Sequence, residues 1–334
     1  MKTSTKVLSA VIILTVFLPV FVILDFMYYL HKPLGREEAK VELIVYQGQG
    51  FNKTLEILEK SNVVKHPDKL KIYARLRGFD KKFKAGEYSI STSMSPSEML
   101  HMMVNGRVKL HRLMIPEGYN TDQIASVIEE SGMGSKKEFL LTVADKNFLH
   151  EMGIDADTFE GYLFPETYYF PKGVSSKKII STMVHRFQSV FKEDWKERAQ
   201  NLDLSIHEIV TLASIIEKET GAAFERPVIS SVFHNRLRIG MRLETDPTVI
   251  YGLKHFDGNL TRKHLLAPSA YNTYLNYGLP PGPIANPGRD AIEAALFPAD
   301  TKLLFFVSKR DSTHQFSTNI RDHNNAVRKY QLRR

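Results

Sequence analysis

The chain has 334 residues, 43% hydrophobic and 25% charged, an ordinary globular make-up with room for two domains. Its formal charge of +8 comes from basic residues spread along the chain, not from a block interleaved with aromatics. That argues against a dedicated nucleic-acid groove and suits either work near an anionic surface or polymer, or solubility alone. Cysteine is absent, so disulfides, thiolate nucleophiles and Cys-type zinc sites are excluded.

Residues 7–24 carry no charge and are flanked by Lys2 and Lys6 on one side and Asp25, His31 and Lys32 on the other. Extended to Leu30, the stretch can span ~30 Å of hydrocarbon as a helix, with Tyr28 and Tyr29 at headgroup level. No small-residue cleavage site follows it, so an uncleaved anchor is expected over residues 1–31, with the remainder outside the cytoplasm.

A small module is expected over residues 32–105. Val41–Tyr46 alternates and is β-branched, which predicts a strand. Phe51, Leu55 and Leu58 fall on one stripe of a helix through Thr54–Ser61, and a second helix follows over Pro67–Arg77. Lys84–Ser91 is the predicted return strand, giving the order strand, helix, helix, strand. Ser95 or Ser97 then caps a helix ended by Asn105-Gly106.

From residue 106 to 334 a mixed α/β domain is expected. Val108–Ile115 reads as a strand closed by Pro116-Glu117-Gly118, and Thr121 as the cap of a helix through Glu130. Phe159–Phe170 packs six aromatics around Pro165, too irregular for one amphipathic element. Helices are predicted at Ser176–Phe191, Ser205–Thr220 and Glu225–Ile239. Leu243–Asn286 is Pro-rich and loop-like, Leu303–Ser308 a buried strand, and His323–Leu332 a last helix.

His207-Glu208 begins like a zinc-protease helix, but Thr211 stands where the second histidine would be needed. The other histidines stand apart, no G-x-S-x-G elbow occurs, and Gly48-Gln49-Gly50 lacks the third glycine of a dinucleotide loop. No metal or cofactor is therefore expected. Carboxylates remain as the credible catalysts.

Among these, LASIIEKET (Leu212–Thr220) stands out, because an almost wholly apolar helical run ends in Glu217 and Glu219. A carboxylate entering a low-dielectric wall has its charged form disfavoured, which suits a general acid near neutral pH. The plainer account is a core helix reaching water. The two glutamates point about 200° apart, so one pocket can use only one directly. Glu217 continues the stripe Ile206, Val210, Ala213, whereas Glu219 is expected to be structural, as a partner of Arg226. Asp246 in Thr245–Thr248 reads as a turn or helix-cap residue. Ser269–Leu279, before Pro280-Pro281-Gly282-Pro283, mixes aromatic faces (Tyr271, Tyr274, Tyr277) with polar groups such as Asn272. A sugar cleft needs these, and a rigid structural loop accounts for them equally.

ASIIEKET, VFHNRLRIGMRLETDPTVIYGL, SAYNTYLNYGLPPGPIANPG and EGYLFPETY together resemble the signature blocks of the MltG (YceG-like) family of endolytic murein transglycosylases. The resemblance covers nearly the whole chain. It implies an α+β protein with a transmembrane helix, a small LysM-like βααβ module and a mixed α/β catalytic domain. Implied too is an inner-membrane lyase, its catalytic domain periplasmic, that cuts the MurNAc–GlcNAc bond of nascent peptidoglycan strands. It would leave 1,6-anhydro-MurNAc ends and act as a terminase of glycan polymerisation beside penicillin-binding cell-wall synthases. The family's catalytic glutamate maps onto Glu217. Glu166 and Asp246 become acidic candidates for positioning sugar hydroxyls or holding loops. Tyr251, Asn272, Tyr274, Leu279, Pro280 and Pro281 become cleft-lining candidates. Glu219, Arg226, Asn235 and Arg236 are expected to support the catalytic helix. Two rivals remain: a hydrolase pairing Glu217 with Asp246 or Glu166, and a glycan-binding scaffold without activity.

Overall fold

A computed structural model describes residues 17–35, 39–46 and 48–332. The first described helix, α1, runs Leu18–His31. The rest of the expected anchor, residues 1–16, lies outside the described residues. Among the described residues no helix is long and apolar enough to cross a membrane.

The chain divides into two compact units between His111 and Arg112, with residues 171–173 joining the first. In the first unit, β1 (Lys40–Val45) and β2 (Gly86–Ser91) pair antiparallel, Lys40 opposite Ser91 and Val45 opposite Gly86. Helices α2 (Phe51–Lys60) and α3 (Pro67–Arg77) lie between them in sequence, and α4 (Pro96–Asn105) follows. The predicted order is therefore observed. The elements pack a core around Leu58, Leu70, Tyr88, Ile90, Met99 and Met103, while Ile44, Ile72 and Leu76 stay exposed. Ser95 is the cap of α4, in a reciprocal box with Glu98, and Gly106 ends the helix in the left-handed conformation.

Strand β3 (His111–Met114), whose last three residues open the second unit, pairs with β4 (Thr167–Phe170). Between them lie α5 (Thr121–Glu130), α6 (Lys136–Val143) and α7 (Lys146–Glu151). The cap of α5 is Asn120, not Thr121. Thr121 is displaced from that role because its N–H and hydroxyl both reach the buried Glu160. The aromatic cluster dissolves into core: Phe159, Tyr162, Leu163 and Phe164 are buried before β4 begins.

Next come α8 (Ser176–Val190), α9 (Glu193–Gln200), α10 (Ile206–Glu219) and α11 (Arg226–Arg238). The Pro-rich stretch holds only α12 (Asp246–Gly252) and α13 (Arg262–Leu265). The chain closes with α14 (Arg289–Leu296), the β5 (Phe305–Ser308)–β6 (His314–Ser317) hairpin and α15 (Ile320–Val327). The expected buried strand at Leu303–Ser308 is shorter and mostly half-buried, because a two-stranded hairpin covers one face only.

Helix α10 is the axis of this unit. Ile209 through Ile216 are all buried, and α10 packs along α14. Its first turn is fixed by a box in which Ser205 and Glu208 exchange bonds, which gives the His207-Glu208 pair a structural reading. Ser214 Oγ accepts from Ile284 N–H at 3.0 Å, so the helix pins the Pro-rich loop from inside the core.

Candidate active site

The C-terminal end of α10 sends three successive side chains to three different segments. Glu217 Oε1 accepts from Arg226 Nη2 at 3.1 Å, and Oε2 accepts from Gly288 N–H at 2.9 Å. Lys218 Nζ donates to Gly118 O at 3.2 Å. Glu219 accepts from the Thr245 hydroxyl. Glu217 and Arg226 keep only 7% and 10% of their side-chain surface in water. Gly288 is the N-cap of α14, whose helix dipole adds to the attraction for Glu217.

Arg226 does not pair with Glu219, as the sequence had suggested, but with Glu217. It also faces Asp290 at 3.5 Å and Glu117 at 3.9 Å. The reason is geometric. Residue 217 lies on the side of α10 that faces the start of α11, whereas Glu219 turns toward Thr245. There burial pushes the Glu219 carboxyl up to about 7, against the Thr245 hydrogen bond and with the Asp246 charge adding.

Beside this cluster, the turn at Gly118 and the segment Pro247–Tyr251 enclose a cleft of about 240 Å³. Gly118, Asn120, Lys218, Pro247, Tyr251 and Ile284 line it. Gly118 brings the cleft wall against Glu217, whose Cγ lies 3.4 Å from where a Cβ on Gly118 would stand. A larger hollow of about 670 Å³ lies at the opposite end of α10, lined by Tyr162, Phe187 and His207 among others. There His207 bridges the Tyr162 hydroxyl and the Pro281 carbonyl at 2.9 Å each.

A second buried acid joins chain segments beside the cleft. Glu160 is 4% exposed and accepts from Thr121 N–H and hydroxyl, from Tyr251 OH at 3.2 Å and from Asn286 Nδ2 at 2.9 Å. Burial outweighs these donors and pushes its carboxyl up to about 7. Asn286 also reaches Tyr119 O and Leu163 N–H, so one amide ties three chain segments.

The other sequence candidates scatter. Glu166 is engaged by Arg186 of α8. Exposed Asp246 accepts from Tyr274 OH at 2.7 Å, and burial followed by this bond pushes the Tyr274 phenol far up. Tyr251 lines the cleft, and its ring meets Tyr271 at 4.8 Å.

Asn272 requires a correction. Expected to line the cleft, it is wholly buried. Its amide nitrogen donates to Leu265 O and Ala267 O, and its oxygen accepts from Tyr274 N–H. Its polar atoms are spent on loop backbone. Leu279 packs against the core, Pro280 is buried, and Pro281 is exposed with its carbonyl facing His207. Asn235 and Arg236 make their hydrogen bonds away from α10, and only the Arg236 charge reaches it, acting on Glu219. Asn235 donates to Thr301 O and Leu303 O, and Arg236 to Leu304 O, Arg242 O and Leu243 O.

Sequence reasoning missed Glu117, Glu160, Asn286 and Gly288. A lone acid between Phe159 and Gly161 in an apolar run was a usable signal for Glu160. Glu117 sits in a turn and Gly288 at a helix N-cap, and their meeting depends on tertiary closure alone.

The geometry defines an acid-centred site on a buried helix end, beside a cleft with tyrosine and backbone walls. The YceG-like family model matches residues 43–329, and the chain belongs to that family. An endolytic murein transglycosylase of Bacillus subtilis (strain 168) is 32% identical over 316 residues, covering 90% of this chain and 87% of the relative. One from Streptococcus pneumoniae serotype 2 (strain D39 / NCTC 7466) is 28% identical over 88% of this chain, which spans 59% of that relative. The crystal structure of a yceG-like protein from Listeria monocytogenes matches with a TM-score of 0.60 at 34% identity, covering 86% of this chain and 99% of that one.

Proposed function

We propose that this protein is an endolytic peptidoglycan transglycosylase, a lyase, with Glu217 as its acid and base. One observation carries the assignment of the residue. Glu217 is the acid that leaves the buried helix α10 beside the cleft wall, held by Arg226 and Gly288 N–H in fixed orientation. The names of the relatives support the substrate class.

In the reaction, protonated Glu217 donates to the glycosidic oxygen between N-acetylmuramic acid and N-acetylglucosamine as the C1–O bond breaks. Arg226 and Gly288 N–H hold the resulting carboxylate. The carboxylate then takes the proton of the C6 hydroxyl as O6 closes on C1, giving a 1,6-anhydro ring and restoring the acid. The acceptor is internal to the sugar, so no second carboxylate is needed to hold a water, unlike most glycoside hydrolysis.

The reading extends to an inner-membrane anchor over residues 7–30 and a periplasmic catalytic unit acting on nascent strands beside cell-wall synthases. The βααβ module then serves as a LysM-like glycan contact. The decisive experiment incubates the full chain in detergent with sacculi and analyses the products by mass. Anhydro-muramic ends from wild type and none from Glu217→Gln support the reading. Reducing ends would instead indicate hydrolysis, and binding without release a scaffold.

A further inference from the structure

Glu117 follows β3 in a tight turn, yet its carboxylate ends up over the bare Cα of Gly288. A Cβ on residue 288 would stand 2.0 Å from Glu117 Oε1, far inside the contact distance of a non-bonded carbon and oxygen. The same Gly288 donates its N–H to Glu217. The Nη2 atom of Arg226 lies 3.1 Å from Glu217 and 3.9 Å from Glu117. Two carboxylates thus converge on one guanidinium nitrogen and one glycine.

The charges around Glu117 do not balance. Facing it are Glu217 from α10, Arg226 from α11 and Asp290 from α14, while the nearby Lys218 is turned to the Gly118 carbonyl. Burial pushes the Glu117 carboxyl up, the Glu217 charge pushes it further, Arg226 opposes and Asp290 adds. Two carboxylates gathered around one guanidinium nitrogen do not ionise independently. Both carboxyl oxygens of Glu217 are engaged, one by Arg226 and one by Gly288 N–H. Glu117, by contrast, keeps half its side chain in water.

We propose that Glu117 and Glu217 form an electrostatically coupled pair clasped by Arg226, which Glu117 keeps singly protonated for glycosidic cleavage. This rests on the transglycosylase reading above. The pair's one proton goes to the departing oxygen as C1–O breaks, and the C6 hydroxyl proton returns to the pair as C1–O6 forms. Atoms and charge balance over the cycle. Glu117 is a positioning residue for the proton.

The test is the pH–rate profile of anhydro-fragment release from sacculi by the full chain in detergent. Glu117→Gln removes a negative neighbour from Glu217, so its alkaline limb should move to lower pH by about half a unit or more. The rate at pH 7 should fall about tenfold, and Glu117→Asp should recover most of it. A Glu117→Gln profile that overlays wild type overturns the pair. Carboxyl ¹³C titration of Glu117 in wild type and Glu217→Gln supplies a readout without substrate. Its midpoint should drop when Glu217 is neutralised, and an unchanged midpoint also overturns the pair. Wild type that releases no anhydro ends defeats the transglycosylase reading instead, while the titration still decides the pairing.

Discussion

Arg226 Nη2 stands 3.1 Å from Glu217 Oε1, with both side chains almost closed to water. An ion pair this dry constrains orientation more than it adds stability, because both charges have given up hydration to form it. Its worth lies in holding one carboxylate at a fixed angle beside a cleft. Glu217→Gln keeps the shape and removes the titrating proton. We expect release of anhydro-muropeptides to fall by at least about a hundredfold, with an unchanged melting temperature as the control.

Removing the cation should be worse for the fold than removing the acid. Arg226→Ala leaves Glu217 buried without its partner and should cost about 3 kcal/mol. Combining it with Glu217→Gln should recover about 1 kcal/mol or more of that loss. Urea denaturation of the four proteins measures the coupling.

Glu160 makes stability depend on pH in an unusual direction. Its folded carboxyl titrates at about 7, above the ordinary 4.5, so folding favours the protonated form. Stability should be greatest below the ordinary value and decline as pH rises toward 7. Glu219, shifted the same way, contributes in the same window. Between pH 5 and 8 the wild-type melting temperature should therefore fall by about 3 °C more than that of Glu160→Gln.

Gly161 tests the junction between the aromatic segment and the Pro-rich loop. Its φ is +87°, and a Cβ would meet Pro283 Cγ at 2.4 Å and Val210 Cγ1 at 2.8 Å. Gly161→Ala combines backbone strain with a clash against a ring and a core helix. It should lose about 3 kcal/mol or fail to accumulate as folded protein, as thermal melts will show.

Asn272 separates loop integrity from sugar recognition. Asn272→Ala should cost about 2 kcal/mol, since Leu265 O, Ala267 O and Tyr274 N–H lose their partner. Whatever activity remains should show unchanged affinity for sacculi in sedimentation assays.

The elements were legible where local patterning suffices. Ser205 with Glu208 announces the start of α10, the βααβ order follows from stripes and alternation, and Pro67–Arg77 is recovered residue for residue. The site was only half legible. Periodicity separates Glu217 from Glu219, because helix geometry is local. It cannot tell which of them Arg226 meets, since that depends on how α11 returns past α10. Glu117 and Gly288 lie 171 positions apart, and only packing of a carboxylate on a bare Cα joins them. Asn272 misled for a related reason. A polar residue between tyrosines reads alike whether it faces sugar or satisfies carbonyls within its own loop.

The fan of partners at residues 217, 218 and 219 makes the last turn of α10 a keyed joint. Each residue step rotates the side chain about 100°, so an insertion or deletion inside the helix would misalign all three links at once. The segments at Gly118, Thr245 and Gly288, distant in the chain, would come loose together. Length changes should therefore be tolerated in the loops around this helix long before they are tolerated within it.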